Sequence, residues 1–347
     1  MRLGLNLGYG PDFVGDLALA QEADRLGYAV VWAAEAYGRD APTVLSWIAA
    51  QTRRVDIGSA VMQIPARTPA MTAMTAATLD AVTGGRFRLG LGVSGPQVSE
   101  GWHGVRFDHP LDRTREYVGI VRSALRRERV TVAGEHFVLP LPDGPGTALR
   151  LNLHPVREHI PLYLAAVGPR NIELAGEVAD GWLAIFFSAA YSAASRTALL
   201  RGRATAGESL AGFDVSASVP MVVEDDLAAA ADRVRGYAAL YLGGMGSRRQ
   251  NFYRDLAVRM GFESAAGAIQ DAYLARDYAG AEAAVPQQFL DDTSLLGPVE
   301  RIAERMSALA EAGVTTLNVI PFAASAPARL ASLRAAVTAL ELSGAAT

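Results

Sequence analysis

The chain has 347 residues, of which 50% are hydrophobic and 20% charged, which is enough apolar material for a large buried core. Its formal net charge is −4 and its basic residues are scattered, so we expect no nucleic-acid partner. There is no cysteine and, although 32 residues are basic, no lysine, which excludes thiol nucleophiles, disulfides, cysteine metal sites, Schiff-base enzymes and pyridoxal-phosphate enzymes.

Short apolar runs alternate with alanine-rich helical segments along the chain. The strand–helix pairs that we predict are 2–7 with 12–26, 29–34 with 42–53, 55–64 with 68–82, 86–93 with 112–127, 161–167 with 170–178, 181–187 with 189–205, 215–223 with 226–241 and 315–321 with 326–342. The apolar runs are continuous, as in parallel strands covered on both faces. Eight such units with right-handed crossovers predict an α/β fold, a (β/α)8 TIM barrel that forms a single domain over 1–347. The alternative is an open doubly wound sheet, but Gly8-Tyr9-Gly10-Pro11 is not its phosphate fingerprint.

Two segments interrupt this alternation. Residues 130–153 contain the β-type runs VTVAGEHFVL and ALRLNL separated by LPDGPG, which predicts a small hairpin after strand four. Residues 243–296 predict a helical insertion between strands seven and eight, and a helix at 298–312 follows it. Long insertions on a barrel usually build the rim of the active site.

The segment 89–104, LGLGVSGPQVSEGWHG, is the most informative part of the sequence. Gly90, Gly92 and Gly95 leave the backbone bare, which is typical of a strand that another backbone or a ligand approaches closely. The loop that follows carries polar and aromatic residues that a simple connection does not need, namely Gln97, Glu100, Trp102 and His103. We therefore predict that a flat ligand lies against this strand end.

Barrel enzymes carry their chemistry at the C-terminal ends of the strands. Here those ends are the segments 8–10, 35–37, 61–63, 92–97, 167–169, 186–188, 222–223 and 320–322. They are aromatic, small and almost uncharged, without the carboxylate clusters or histidine spacing of a metal site. We expect no metal, and we expect this rim to hold a large planar cofactor that brings its own chemistry.

Six segments match one known family in their order and spacing. They are VVWAAEAYGRDA at 30–41, IGSAVMQIPARTP at 57–69, LDAVTGGRFRLGLGVSGPQVSEGWHGVRF at 79–107, LYLAAVGPRNIELAGEVADGW at 162–182, GGMGSRRQNFYRDLAVRMGF at 243–262 and GPVERIAERMSALAEAGVTTLNV at 297–319. Through them nearly the whole chain resembles the luciferase-like monooxygenase superfamily, and within it the bacterial oxidoreductases that use the deazaflavin coenzyme F420.

This resemblance implies a coenzyme ring inside the C-terminal mouth of the barrel. A non-proline cis peptide would back the ring at Ala60–Val61, and the residues expected around the ring are Gly8, Ala60, Val61, Met62, Gly92, Val93 and Ser94. The phosphate end would lie on the strand-to-helix turn Val167, Gly168, Pro169, Arg170 and Asn171, where a helix N-terminus suits an anion. Arg248 and Arg249 are candidates for holding the anionic, glutamate-bearing tail.

The candidate catalytic residues are Glu35 and His103. Glu35 ends strand two, where related enzymes often carry an acid followed by a histidine, but here the next residue is Ala36. Trp102 and His103 would then supply a ring wall and a proton donor. Side chains expected to line the substrate pocket are Tyr9, Tyr37, Gln97, Trp102, Phe186, Phe187 and Phe322, which suggests an apolar or aromatic organic substrate.

The resemblance predicts an oxidoreductase that transfers a hydride between C5 of F420 and an organic substrate. One alternative is an FMN-dependent monooxygenase of the same superfamily, supplied with reduced flavin by a partner reductase. Another is a non-catalytic relative that only binds a ligand. Related proteins commonly form dimers through barrel helices, so we expect a homodimer.

The sequence also suggests where the protein resides. The apolar strand after Arg2 is short and is followed by no small-residue cleavage site, which does not fit a signal peptide. The longest uncharged runs, 181–195 and 314–328, are too short and too polar to span a bilayer. We therefore expect a cytoplasmic protein with no membrane partner.

Overall fold

Parallel strands close into a barrel in the computed structural model, which describes residues 1–8 and 10–346. The strands of this described part are β1 (Arg2–Asn6), β2 (Val30–Ala33), β3 (Asp56–Ser59), β4 (Met62–Gln63), β5 (Phe87–Gly92), β6 (Val132–Ala133), β7 (Val138–Leu139), β8 (Leu162–Ala165), β9 (Gly181–Ile185), β10 (Asp214–Val223), β11 (Leu295–Gly297) and β12 (Thr316–Pro321). Eight of them pair in the order β1, β2, β3, β5, β8, β9, β10 and β12, and β12 pairs with β1 again. The structure confirms the predicted (β/α)8 barrel.

Helices surround the barrel and form its insertion. They are α1 (Phe13–Leu26), α2 (Ala41–Ala49), α3 (Pro69–Thr83), α4 (Pro96–Gly101), α5 (Pro110–Leu125), α6 (Pro169–Val178), α7 (Ser192–Thr205), α8 (Leu227–Ala239), α9 (Phe252–Arg259), α10 (Glu263–Leu274), α11 (Tyr278–Ala283), α12 (Gln287–Thr293), α13 (Val299–Glu311) and α14 (Ala326–Ser343). Local signals fix several of their ends. The Asp12 carboxylate accepts the Gly15 N–H at 2.9 Å where α1 begins, and Gly27, with φ +80°, ends that helix. In the described part, no helix combines the length and the apolarity that crossing a bilayer requires.

The barrel interior contains one aromatic pair and a polar layer beneath it. Trp32 and Tyr163 meet edge to face with their ring centroids 5.2 Å apart, and Trp32 Nε1 donates to Asn318 Oδ1 at 2.9 Å. Towards the N-terminal ends of the strands, Arg88 Nε donates to Asp56 at 2.8 Å and Arg88 Nη1 donates to the Tyr163 hydroxyl at 3.2 Å. This polar layer closes the end of the barrel opposite the mouth.

The hairpin after strand four forms within a shorter segment than the sequence suggested. β6 pairs antiparallel with β7, and both strands lie inside the run VTVAGEHFVL, whereas the run ALRLNL forms no strand in the part of the chain described. The reason lies in α5, because the Glu116 carboxylate accepts the N–H groups of Glu135, His136 and Phe137 at 2.9–3.0 Å and fixes a tight turn there. The small hairpin predicted after strand four is therefore present, and it is confined to the first of the two runs.

The predicted insertion contains α9 to α12 and the short strand β11, which the sequence did not reveal. β11 pairs with the end of β10 from Met221 to Val223. The insertion helices enclose a second hydrophobic core, whose centre includes Phe186 and Phe289 with ring centroids 5.5 Å apart. This core holds the insertion against the C-terminal side of the barrel.

Candidate active site

The floor of the mouth is a break in the third barrel strand. Pairing stops after Ser59, the Ala60–Val61 peptide bond is cis, and β4 resumes pairing with β5. The cis peptide implied by the family resemblance is therefore confirmed at its expected position. Ala60 and Val61 are partly exposed and pack on the Trp32 cluster, whereas Met62 is fully buried.

Glycines in β5 make room for this break. A Cβ atom at Gly90 would lie 1.9 Å from the Ser59 carbonyl oxygen, and one at Gly92 would lie 2.6 Å from Val61 Cγ2. The close approach predicted from the glycines is thus made by the neighbouring strand. Val93 then packs on the main core, and Ser94 adopts a left-handed backbone with φ +63° as the chain leaves the barrel.

Glu35 has each of its carboxylate oxygens engaged. It forms a bidentate ion pair with Arg67, in which both N–O distances are 2.7 Å. It also accepts hydrogen bonds from the backbone N–H groups of Ala41 and Gln63 at 3.1 Å. Burial disfavours the Arg67 charge, but the hydrogen bonds and charge of Glu35 outweigh that effect and raise the pKa of Arg67. Arg67 also pairs with Asp40. The carboxylate therefore ties the loops after β2 and β4 together.

His103 is joined to this network through Gln63. The Gln63 amide donates to Ser94 Oγ at 3.3 Å, and its Oε1 atom lies 2.7 Å from His103 Nε2. Because an amide oxygen only accepts, His103 Nε2 carries the proton of this hydrogen bond, and Nδ1 is the nitrogen left for a substrate. His103 and Gln63 are 40 residues apart in the chain, so no local sequence pattern indicated this contact.

The turn at the end of β8 has the features of an anion site. Gly168 is the N-cap of α6 and offers no side chain to the first N–H groups of the helix. Arg170 is exposed, as is Arg259 of α9, and neither forms an ion pair with a carboxylate in the described part of the chain. Arg259 Nη2 donates to the Val167 carbonyl at 3.1 Å. Partial burial disfavours the charged form and lowers the pKa of Arg259, and the negative charge of Asp255 only partly offsets this shift.

Arg259 was missed by the sequence analysis, because its contact with Val167 joins residues 92 positions apart. The two arginines predicted to hold the coenzyme tail lie elsewhere on the insertion. Arg248 is exposed and pairs with Asp271 of α10, and Arg249 is exposed. No described hydrogen bond joins either of them to the α6 turn, so their role in binding the tail stays a prediction.

The residues predicted to line the substrate pocket fall into two groups. Tyr37, Gln97 and Trp102 are exposed on the rim. Phe186 is buried among aromatic rings of the insertion, Phe187 is buried against Trp182, and Phe322 packs on Tyr237. Among the remaining predicted ligand residues, Gly8 is exposed and its carbonyl accepts from Arg39, Asn171 is partly buried in α6, and Tyr9 lies outside the described residues.

The insertion reaches over the mouth from one side. Phe252, at the start of α9, contacts Phe107 of the loop that follows α4, with ring centroids 6.1 Å apart. Seven residues further on, Arg259 contacts the end of β8. Helix α9 therefore runs along the rim above the adjacent strands β5 and β8, and it places apolar and basic groups on the same ligand-accessible edge.

Comparison with known proteins gives consistent results. The luciferase-like monooxygenase family model matches residues 2–316. The chain is 41% identical over 344 residues to the candidate coenzyme F420-dependent oxidoreductase Rv3520c of Mycobacterium tuberculosis, covering 96% of this chain and 99% of that protein. It is 28% identical over 319 residues to 5,10-methylenetetrahydromethanopterin reductase of Archaeoglobus fulgidus, covering 88% of this chain and 91% of that enzyme.

Among solved structures, the coenzyme F420-dependent tetrahydromethanopterin reductase of Methanopyrus kandleri superposes with a TM-score of 0.81 at 22% identity, covering 98% of both chains. At this identity the likeness concerns the fold, and it extends over the barrel and its insertion together. With the family model covering most of the sequence, the conclusion is direct: this chain belongs to the luciferase-like monooxygenase family.

Proposed function

We propose that the protein is a coenzyme F420-dependent oxidoreductase that transfers a hydride between the deazaflavin ring and a small organic substrate. The observation that carries this proposal is the pairing of a bare, apolar strand end with an anion site on the next barrel strand. The floor at Ala60–Val61 and Gly92 suits a flat ring, and the α6 turn with Arg170 and Arg259 suits its phosphate. The names of the relatives support the same coenzyme.

The residues present fit the parts of this coenzyme. When bound, the deazaflavin supplies or accepts the hydride at its C5 carbon. Ala60 and Val61, which are partly exposed, would form the surface on which the ring lies, and Arg170 and Arg259 would pair with its anionic groups. The Phe107–Phe252 contact places two aromatic rings at one side of the mouth.

His103 is the residue that we assign to proton transfer. Gln63 holds its Nε2–H, so that Nδ1 can take a proton from the substrate or give one to it. Glu35 then acts as a positioning residue, because its ion pair with Arg67 fixes the backbone that carries Gln63. The exposed aromatic residues of the rim, Tyr37 and Trp102, favour an apolar or aromatic substrate.

The test is a fluorescence titration of the purified protein with three ligands: oxidised F420, its dephosphorylated chromophore without the tail, and FMN. We expect F420 to bind with a Kd on the order of 1–10 μM, with the chromophore at least about tenfold weaker because it lacks the anions. Tight binding of FMN with no binding of F420 would replace this proposal by a flavin-dependent monooxygenase. Binding of none of the three ligands would show a relative that has lost the coenzyme.

A further inference from the structure

A cavity lies beside the barrel mouth. Val93 is the one residue in its described wall that was assigned above to the coenzyme ring or its phosphate. Its volume is about 320 Å³, which falls within the range of small-molecule pockets. The walls come from the turn 64–68 after β4, from the loop and helix start at 105–114, and from Phe137 of the hairpin. The cavity therefore lies outside the barrel, between the N-termini of α3 and α5.

Most of the wall is apolar, but one guanidinium in it is incompletely satisfied. Phe107, Phe137 and Val105 provide apolar surface. Arg113 lines the same cavity, and its Nε atom is buried without a hydrogen-bond partner among the described residues, while its Nη2 atom donates to Asp108 at 3.0 Å. A buried N–H group of a charged side chain without an acceptor is costly, so the guanidinium is incompletely satisfied, and its side chain is still 27% exposed to a further acceptor.

The helix ends around the cavity add to this positive charge. Helix α5 begins at Pro110, and its N-cap residue His109 makes no side-chain hydrogen bond to the first turn. Thr68, which caps α3, also lines the cavity. Two helix N-termini therefore point their positive ends towards the same space.

The other charged side chains that line the cavity do not cancel its preference for an anion. Arg67 is neutralised by Glu35 and Asp40, and Arg106 is an exposed residue with Glu100 at 3.8 Å. Asp108 is the one carboxylate among the described lining residues, and it is already paired with Arg113. Because Asp108 is half exposed, its ion pair with Arg113 is weak, and a ligand with an apolar body and a single negative charge can compete for the guanidinium.

We propose that this cavity is a second binding site, which takes a small apolar or aromatic molecule carrying one carboxylate or sulfonate. The anionic group binds the exposed part of the Arg113 guanidinium and the N-terminus of α5, and the apolar body lies against Phe107 and Phe137. The site does not require bound coenzyme, so it stands independently of the function proposed above.

The test uses two fluorescent probes that share an aromatic frame: the anionic 1-anilinonaphthalene-8-sulfonate and the neutral N-phenyl-1-naphthylamine. The native protein is expected to bind the sulfonate in the presence of saturating F420. Arg113→Met weakens sulfonate binding about tenfold and neutral-probe binding less than about twofold. Ala66→Phe, which fills the cavity from its rim, weakens binding of both probes, and Asp108→Asn strengthens sulfonate binding because it removes the competing carboxylate.

The matched control is Arg115→Met, on the same helix but paired with Glu177 and away from the cavity. It is expected to leave binding of both probes unchanged. The proposal is overturned if F420 displaces the sulfonate, or if Arg113→Met and Ala66→Phe both bind it as the native protein does. Far- and near-UV circular dichroism melts of each variant establish that it is folded, which for Asp108→Asn separates a gain in affinity at the cavity from sulfonate binding to a partly unfolded state.

Discussion

Gly90 shows at the scale of a single residue how the barrel floor depends on a missing side chain. A Cβ atom there would lie 1.9 Å from the Ser59 carbonyl oxygen, which is backbone and cannot move aside. We expect Gly90→Ala to lower the free energy of unfolding by about 3 kcal/mol or more, measured by urea denaturation.

The control for this prediction is Gly119→Ala in the middle of α5, where a Cβ atom would meet nothing within 4 Å. Since alanine favours the helix, this variant should be more stable than the native protein by about 0.5–1 kcal/mol. Equal stability of the two variants would mean that the strand spacing is not what requires glycine at residue 90.

Single residues also mark the limit of what could be predicted from the sequence. The glycines of β5 carried a local signal, because a bare strand end indicates a close approach whatever makes it. The engagement of Glu35 by Arg67 and of His103 by Gln63 carried none, since these contacts join residues 32 and 40 positions apart. Such pairs depend on the positions of whole loops.

At the scale of secondary-structure elements, helix α9 links the insertion to the proposed coenzyme site through Arg259. We expect Arg259→Met to weaken F420 binding about tenfold and to leave binding of the dephosphorylated chromophore within about twofold, because only the anionic part loses a partner. The measurement is the fluorescence titration with both ligands. Arg259→Lys should recover part of the loss.

Arg233→Met on α8 provides the control, since Arg233 is exposed, pairs with Glu224 and has no part in the proposed coenzyme site. It should change neither titration by more than about twofold, the scale of an exposed ion pair. If Arg259→Met weakened binding of both ligands equally, Arg259 would act on the ring or on the position of α9, and the assigned anion contact would be wrong.

Elements with a strong periodic pattern were predictable, and short ones were not. The barrel strands are continuous apolar runs followed by capped helices, so local sequence is sufficient to indicate them. β11 has three residues and exists because it pairs with the end of β10. The hairpin shortened because the Glu116 carboxylate binds three successive N–H groups of its turn, which no pattern within residues 130–153 could show.

The whole molecule divides its tasks between the two ends of the barrel. The eightfold alternation of strand and helix was enough to predict closure, because few other arrangements satisfy right-handed crossovers eight times. It also indicated which end would carry the ligand, since that follows from strand direction alone. It could not indicate the buried charge layer at the opposite end, because Asp56, Arg88 and Asp214 come from three separate strands.

The separation of the charged layer from the mouth predicts that a change at Arg88 affects stability but not F420 binding. Its side chain is 9% exposed and is held by Asp56, Asp214 and the Tyr163 hydroxyl, so Arg88→Met leaves Asp56 without this cation and Asp214 with Arg2 as its remaining cationic partner. We expect the free energy of unfolding to fall by about 2–3 kcal/mol, while the Kd for F420 stays within about twofold because the mouth is at the other end. Arg126→Met, which removes an exposed pair with Glu128, should cost less than about 1 kcal/mol. Urea denaturation and the F420 titration on the same samples separate the two effects. A large loss of F420 affinity in a variant of native stability would show that the charged end and the mouth are coupled.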